Sequence, residues 1–514
     1  MRLSLNRILR ATFSLVLLLG IIPAVFGHAK LVRSQPAAKA TLKESPRIVE
    51  LWFSEELEPK FSTIVVSDQS GKHVDKNDVS LAEGNRKLQI SLGDLPSGTY
   101  TVDWKALSTD QHTMKGKFTF AVMATASAAQ TTPSPQKTAS TVLAAPLKTS
   151  SPATPEKTES MEESGSGWTQ SVVRWFEYLA MMMLFGGFGF YLFVLKPAIL
   201  QSHGPTETEK CDGAGKGARR VVLFSGLSIC TLIIASLAEL VLQAATVFDK
   251  TIPEALSPGL LSQVIRQTGF GAAWRLEAWA IFGLLILVLY LFRRTHQQST
   301  SEHTALFWAG LMGSAVLLIA PTWTGHATAV AKEYPFARTT DWLHLVAAGA
   351  WVGGLFHLAV TMPKALSSLK AQDRLRVLHR VIPLFTRLAV VSTILIVLTG
   401  VYNSWMHVDE FGKLWSTSYG KTLSLKVLLI LPMLILGGVN TFVIHPRASR
   451  LIANENTDSE RSAALDRNFS RSVRIEAWLG VAVLLVASVL VFQQPTREHP
   501  EDQSPQMRSQ PMKK

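Results

Sequence analysis

The sequence predicts an exported all-β domain, either a sandwich or a Greek-key barrel, then a flexible linker and a polytopic all-α membrane domain of eight helices. Three observations predict it. Apolar and polar residues alternate within residues 28–123, the period of strands with one buried face. Residues 124–167 are Ala, Ser, Thr, Pro and Lys with few large apolar groups. Eight apolar blocks follow Trp168, each near the roughly 20 residues that cross a bilayer as a helix. At 514 residues and 47% hydrophobic, the chain is too long for one ordinary domain.

The first element is a leader. Arg2, Arg7 and Arg10 form a basic start, Leu15 to Ile22 an apolar core, and Val25 and Gly27 a small-residue cleavage site. Residues 1–27 therefore read as a signal peptide, and His28 becomes the first residue of the mature chain. The β domain follows, over residues 28–123. Leu88, Ile90 and Leu92 alternate with polar residues, as do Tyr100, Val102 and Trp104, then Phe118, Phe120 and Val122. Gly71, Pro96-Ser97-Gly98 and Gly116 read as turns between strands. The linker at 124–167 holds too little apolar surface to offset its ordering entropy.

The membrane domain spans residues 168–492. Its apolar blocks lie near 172–195, 221–245, 273–292, 304–322, 340–362, 386–406, 422–444 and 475–492. With the β domain exported, the first helix begins outside. The inner loops then carry 19 Lys and Arg against 6 in the outer loops, in keeping with the positive-inside rule. That orientation predicts a multi-pass protein of the cytoplasmic membrane with the β domain and the tail, 493–514, both extracytoplasmic. The net charge of +13 is spread between apolar blocks, which argues for the bilayer and against nucleic acid as partner. Cys211 and Cys230 fall in an inner loop and a helix, so no disulfide framework is indicated. No G-x-x-x-x-G-K-[ST] sequence occurs, which argues against direct drive by ATP.

An N-terminal histidine offers an amine and an imidazole from one residue. Asp110 and His112 are two apart on an extended segment and so face the same side. Together with His28 they make a nitrogen and oxygen donor set that suits Cu(II). In the membrane domain, His326, His344, Met406 and His407 are all expected near the outer surface. Asp341 lies three residues before His344, on the same helical face. Polar groups at membrane depth are costly and point to function, so these five metal-competent residues form a candidate path in the membrane, which the resemblance given below makes a candidate copper path. His357 turns to the opposite face from His344. Met181, Met182 and Met183 spread around their helix and read as lipid-facing or packing residues. Glu177, Glu239, Glu277 and Glu476 are either ion partners of Arg174, Arg275 or Arg474, or aids to proton movement.

The β domain resembles the CopC copper-binding family. The resemblance is carried by His28-Ala29-Lys30-Leu31-Val32-Arg33-Ser34-Gln35-Pro36-Ala37, by Val49-Glu50-Leu51-Trp52-Phe53-Ser54-Glu55, and by Gly98-Thr99-Tyr100-Thr101-Val102-Asp103-Trp104 with Ser108, Asp110 and His112. It implies Cu(II) ligation by His28, Asp110 and His112, with Glu55 as a further contributor. Gln111 stands where many members have glycine, a departure that bears on the loop. The stretch from Ser67 to Val79 holds His73 and no methionine, so no second, Cu(I) site is expected, and Met114 reads as packing. The helices resemble the CopD family through Arg174-Trp175, Thr324-Gly325-His326-Ala327, Asp341-Trp342-Leu343-His344, Trp351-Val352-Gly353-Gly354-Leu355, and Tyr419-Gly420-Lys421 with Lys426. A CopC domain ahead of a CopD domain is the arrangement of YcnJ-type copper uptake proteins. The resemblance implies copper acquisition and transport, not enzymatic activity. It adds an extracytoplasmic copper chaperone or reductant as a partner beside the copper ion and the bilayer. Three rivals stay open: a copper resistance or sensing protein without transport, a copper monooxygenase built on the N-terminal histidine, and a haem electron carrier using membrane histidines. His499, Met507 and Met512 in the tail either bind copper weakly or lie in a disordered segment.

Overall fold

The computed structural model describes residues 31–108, 113–123, 167–297, 303–324, 336–407, 412–453 and 459–493. The N-terminal strands are β1 (Leu31–Gln35), β2 (Thr41–Leu42), β3 (Ile48–Phe53), β4 (Thr63–Ser67), β5 (Ser80–Ala82), β6 (Lys87–Ser91), β7 (Gly98–Leu107) and β8 (Thr113–Val122). They form two four-stranded sheets, ordered β1-β3-β6-β5 and β2-β8-β7-β4. The expected all-β domain is therefore a sandwich. Alternation builds its core: Val49, Leu51 and Phe53 of one sheet meet Val102, Trp104 and Phe120 of the other. Met114 is 5% exposed within that cluster, the packing role read for it.

Gly116 departs from the sequence reading. It lies inside β8, paired with Trp104, and is not a turn. A Cβ there would come within 2.4 Å of the Trp104 ring. The missing side chain makes room for the indole, which a reading of turn residues cannot show.

Among the described residues, eight helices are long and apolar enough to cross a membrane. They are α1 (Gly167–Leu200), α2 (Glu207–Phe248), α3 (Gly269–Thr295), α4 (Thr304–Trp323), α5 (Ala337–Val360), α6 (Ala371–Trp405), α7 (Ser418–Ala453) and α8 (Glu460–Leu490). Consecutive spans reverse direction, so the N-termini of odd helices and the C-termini of even ones share one side. The β-sandwich touches that side, called the near side below.

Three helices start about 15 residues before their apolar blocks. The segments expected as basic inner loops are largely helical. At α2 the Thr206 hydroxyl accepts from the Glu209 amide while the Glu209 carboxylate accepts from the Thr206 amide, which satisfies two otherwise open donors. At α6 the helix runs through Pro383, and Leu375, Leu378, Val381 and Ile382 of its polar start are buried.

α1 is the central helix. In its apolar window 89% of residues are buried, against 22–50% for the other seven. It meets α5 backbone to backbone. A Cβ on Gly353 would lie 1.9 Å from the Met182 carbonyl oxygen, and one on Gly186 would lie 2.4 Å from Gly353. Gly349–Gly353 forms a π-helical turn at this crossing. Met181 and Met182 are each 1% exposed, so they pack inside the bundle and do not face lipid. Gly353→Ala is expected to force α1 and α5 apart and to cost about 1–3 kcal/mol, read as a lowered thermal midpoint of the purified protein.

Candidate metal sites

One end of the sandwich brings together described chain neighbours of the expected Cu(II) ligands. His28, Asp110 and His112 themselves lie outside the described residues. Leu31, three residues after His28, opens β1 opposite Phe53. Glu55 follows two residues later and is half-buried. Leu57 then bridges Ser108, and the Glu58 amide donates to the Leu107 carbonyl at 2.7 Å. β7 and β8 stay in register to Leu107↔Thr113, so Ser108 and Thr113 bracket the segment that holds Asp110 and His112. The start of β1, the turn after β3 and the Leu107–Thr113 end of the β7–β8 hairpin thus meet at one end.

That same end rests on the membrane domain. Phe61 stacks edge-on against Phe248 with centroids 5.8 Å apart, and Phe61, Leu107 and Val247 form one buried cluster. The Lys105 ammonium donates to the Val247 carbonyl. Lys115 pairs with Asp249 at 2.6 Å, and the Gly269 amide donates to the Glu58 carboxylate at 3.0 Å. The Lys115 hydrogen bond holds the Asp249 carboxyl below its ordinary range, while burial pushes the Lys105 ammonium down. All these contacts fall at the end of α2 and the start of α3. No local pattern signals them, because the partners are more than 100 residues apart.

Below this contact, the membrane residues singled out by motif gather from four helices. Asp341 and His344 lie about 6 and 10 Å along α5 from Ala337, at the helical rise per residue. The His344 Nδ1 sits 2.9 Å from the Thr399 hydroxyl of α6. Asp341 is within electrostatic reach of Tyr178 on α1 and of Tyr419 and Lys426 on α7. Arg174 of α1 lies over the Tyr178 ring at 6.0 Å. Its guanidinium pairs with Glu177 at 3.1 Å and with Glu239 of α2. His326 lies outside the described residues. Met406 and His407 close the α6 helix, which continues to His407 on the near side; their side chains are outside the described set.

Other residues take structural parts. His357 is fully buried, with Nδ1 2.9 Å from the Thr361 hydroxyl and Nε2 3.0 Å from the Met183 carbonyl. Both ring nitrogens are used, so it does not join a path with His344. Glu476 accepts from Asn440 at 2.6 Å. Arg474 bonds the Ser470 carbonyl and Arg275 the Ile265 carbonyl; of these three arginines, Arg174 is the one ion-paired with glutamates among the described residues, with Glu177 and Glu239. The sequence reading missed His379 and His445. They stack on the far side with centroids 4.6 Å apart, and His379 Nε2 is 2.9 Å from the Ser449 hydroxyl.

Comparison with known proteins agrees with this two-part arrangement. The CopC domain model matches residues 31–123. The model for the copper resistance protein D-like N-terminal domain matches 161–332, and that for copper resistance protein D matches 379–490. The chain belongs to the fused CopC–CopD family. Copper transport protein CutJ of Bacillus subtilis is 27% identical over 481 residues, covering 92% of this chain and 76% of CutJ. Protein YobA of Escherichia coli K12 is 35% identical over 121 residues, covering 23% of this chain and 98% of YobA. CopC from Methylosinus trichosporium OB3b is a solved structure with 35% identity and a TM-score of 0.17, covering 19% of this chain and 94% of that one. The fused CopC–CopD chain is thus a multi-pass membrane protein of a copper transport and resistance family.

Proposed function

We propose that this protein imports copper across the cytoplasmic membrane. Cu(II) is captured at the sandwich end by His28, Asp110 and His112, with Glu55 contributing, and passes to Asp341 and His344 in the bundle. In this reading His326, Met406 and His407, expected from the sequence near the outer surface, complete the outer mouth. His379 and His445 stand where metal would leave. The excess of Lys and Arg on the far side supports a near side that is extracytoplasmic. An extracytoplasmic chaperone or reductant supplies or reduces the ion where the cell requires it.

One observation carries this reading. The sandwich end whose strand termini lie within three residues in sequence of all four expected ligands is the end docked on α2 and α3. A captured ion therefore starts beside the membrane domain, at high effective concentration.

The test is copper accumulation at limiting external copper in cells that lack the protein. Wild type is expected to restore accumulation and His28→Ala to lose most of it, with N-terminal sequencing to verify that the mature chain starts at His28. Equal restoration by both would remove the sandwich end from the route. No restoration by correctly processed, inserted wild type would replace import by copper resistance or sensing.

A further inference from the structure

Three carboxylates meet inside the membrane domain around a single guanidinium. Glu177 lies ten residues along α1 from Gly167, Glu239 nine residues before the end of α2, and Glu277 eight residues into α3. At the helical rise these are depths of about 12–15 Å from the near side, so three helices bring one carboxylate each to one level. A ligand oxygen from each lies within 4.8 Å of the others.

Charge and hydrogen bonding are both incomplete there. Arg174 supplies one positive charge against three carboxylates, and it is engaged by Glu177 and Glu239. Glu177 is 1% exposed and Glu277 4%. The Oε1 atoms of both are buried with no hydrogen-bond partner, although they face the other members of the cluster. An unpaired ionised oxygen at this depth is costly. Among the described residues, the other groups that interact with the cluster are Tyr178 on α1, Ser236 on α2 and, beyond Tyr178, Asp341 on α5; none of these brings a positive charge.

We propose that Glu177, Glu239 and Glu277 form an intramembrane binding site for a divalent cation. Oxygen donors sit about 2.0–2.6 Å from such ions, so donors around one ion are separated by up to about 4–5 Å, the spread found here. Three carboxylates and one guanidinium sum to two negative charges, which one divalent ion neutralises. The donors are all oxygen, which selects against Cu(I) and suits Cu(II) among copper ions. Resting on the import reading, this assigns Cu(II) as the form that enters the bundle and gives it a stop at the α1–α2–α3 junction, deeper than Asp341 and His344 and about 12–15 Å from the side that carries the sandwich.

The experiment is Cu(II) titration of the purified full-length protein, followed by electron paramagnetic resonance, in a background of His28→Ala and His112→Ala. One Cu(II) equivalent with oxygen ligands is expected to remain. Glu277→Gln should abolish it, and Glu277→Asp, which keeps the carboxylate, should retain it. An equivalent that survives Glu277→Gln, or none in the starting background, overturns the site. So does an infrared band of a protonated carboxylic acid that disappears in Glu277→Gln and is untouched by copper, since the cluster then holds protons. Cell copper accumulation separates the two readings. Oxygen-bound Cu(II) without accumulation keeps the site and sinks import; accumulation without the bound equivalent does the reverse.

Discussion

Arg174→Met is expected to be the most destabilising single substitution in the membrane domain. Arg174 is 5% exposed and pairs with Glu177 and Glu239. Removing the guanidinium leaves three carboxylates with oxygens within 4.8 Å of one another and no paired cation among the described residues. Breaking a buried pair from one side costs about 3–5 kcal/mol, because the surviving charge has neither water nor partner. Methionine keeps the length and most of the volume, so packing loss is a minor part. The result should read as a steep fall in thermal midpoint in detergent. Arg174→Lys should fall between the two, since an ammonium keeps the charge and loses the fork that reaches both carboxylates. The decisive comparison is a double-mutant cycle. In a Glu177→Gln, Glu239→Gln background, Arg174→Met should cost far less than in the wild type. Equal costs in both backgrounds would mean that Arg174 acts through packing and not through charge.

This cluster also marks how far the sequence reaches. Arg174 and Glu177 are three apart on one helix, so their pairing is readable from spacing. Glu239 and Glu277 arrive from other helices, and nothing local distinguishes Arg174 from Arg275 or Arg474 as their partner. Strand readings divide along the same line. Leu88–Leu92 and Tyr100–Trp104 alternate over enough residues to be seen. Thr63–Ser67 buries only Ile64 and Val66, too short a pattern to separate from a loop. Helix existence follows from apolar length, whereas helix extent does not. The start of α6 is polar and contains Pro383, and its helix is held by burial of Leu378 and Val381, a tertiary effect. His379 and His445 meet only because α6 and α7 pack at their far ends. The docked sandwich is the least readable feature, since its contacts join residues that share no periodicity.

Docking gives the second large expected effect. Phe61 is 8% exposed between Leu107 and the end of α2, and it lies outside the sandwich's main core cluster. Phe61→Asp would set a carboxylate against Val247 and Phe248 in place of an aromatic ring. The lost burial alone is at least about 2 kcal/mol, a factor of roughly 30 in the ratio of docked to undocked forms, and the desolvated charge adds to it. The covalent connection persists, so the sandwich still reaches the membrane domain but no longer rests on it. Copper accumulation at limiting copper should therefore drop by about tenfold or more, while saturating copper restores it. Cu(II) binding by the sandwich, read from its spectrum in the full-length protein, should be unchanged, because Phe61 is not among the expected ligands. Lys115→Glu should give a weaker form of the same result, since the Lys115–Asp249 pair is half-exposed and such pairs contribute about 1 kcal/mol or less. Unchanged accumulation in an undocked Phe61→Asp protein would mean that capture and passage are independent, and that the contact only orients the sandwich. Loss of both accumulation and Cu(II) binding would show instead that the substitution has damaged the sandwich. The asymmetry between unchanged binding and lost delivery is what a direct transfer from the sandwich end to the bundle requires.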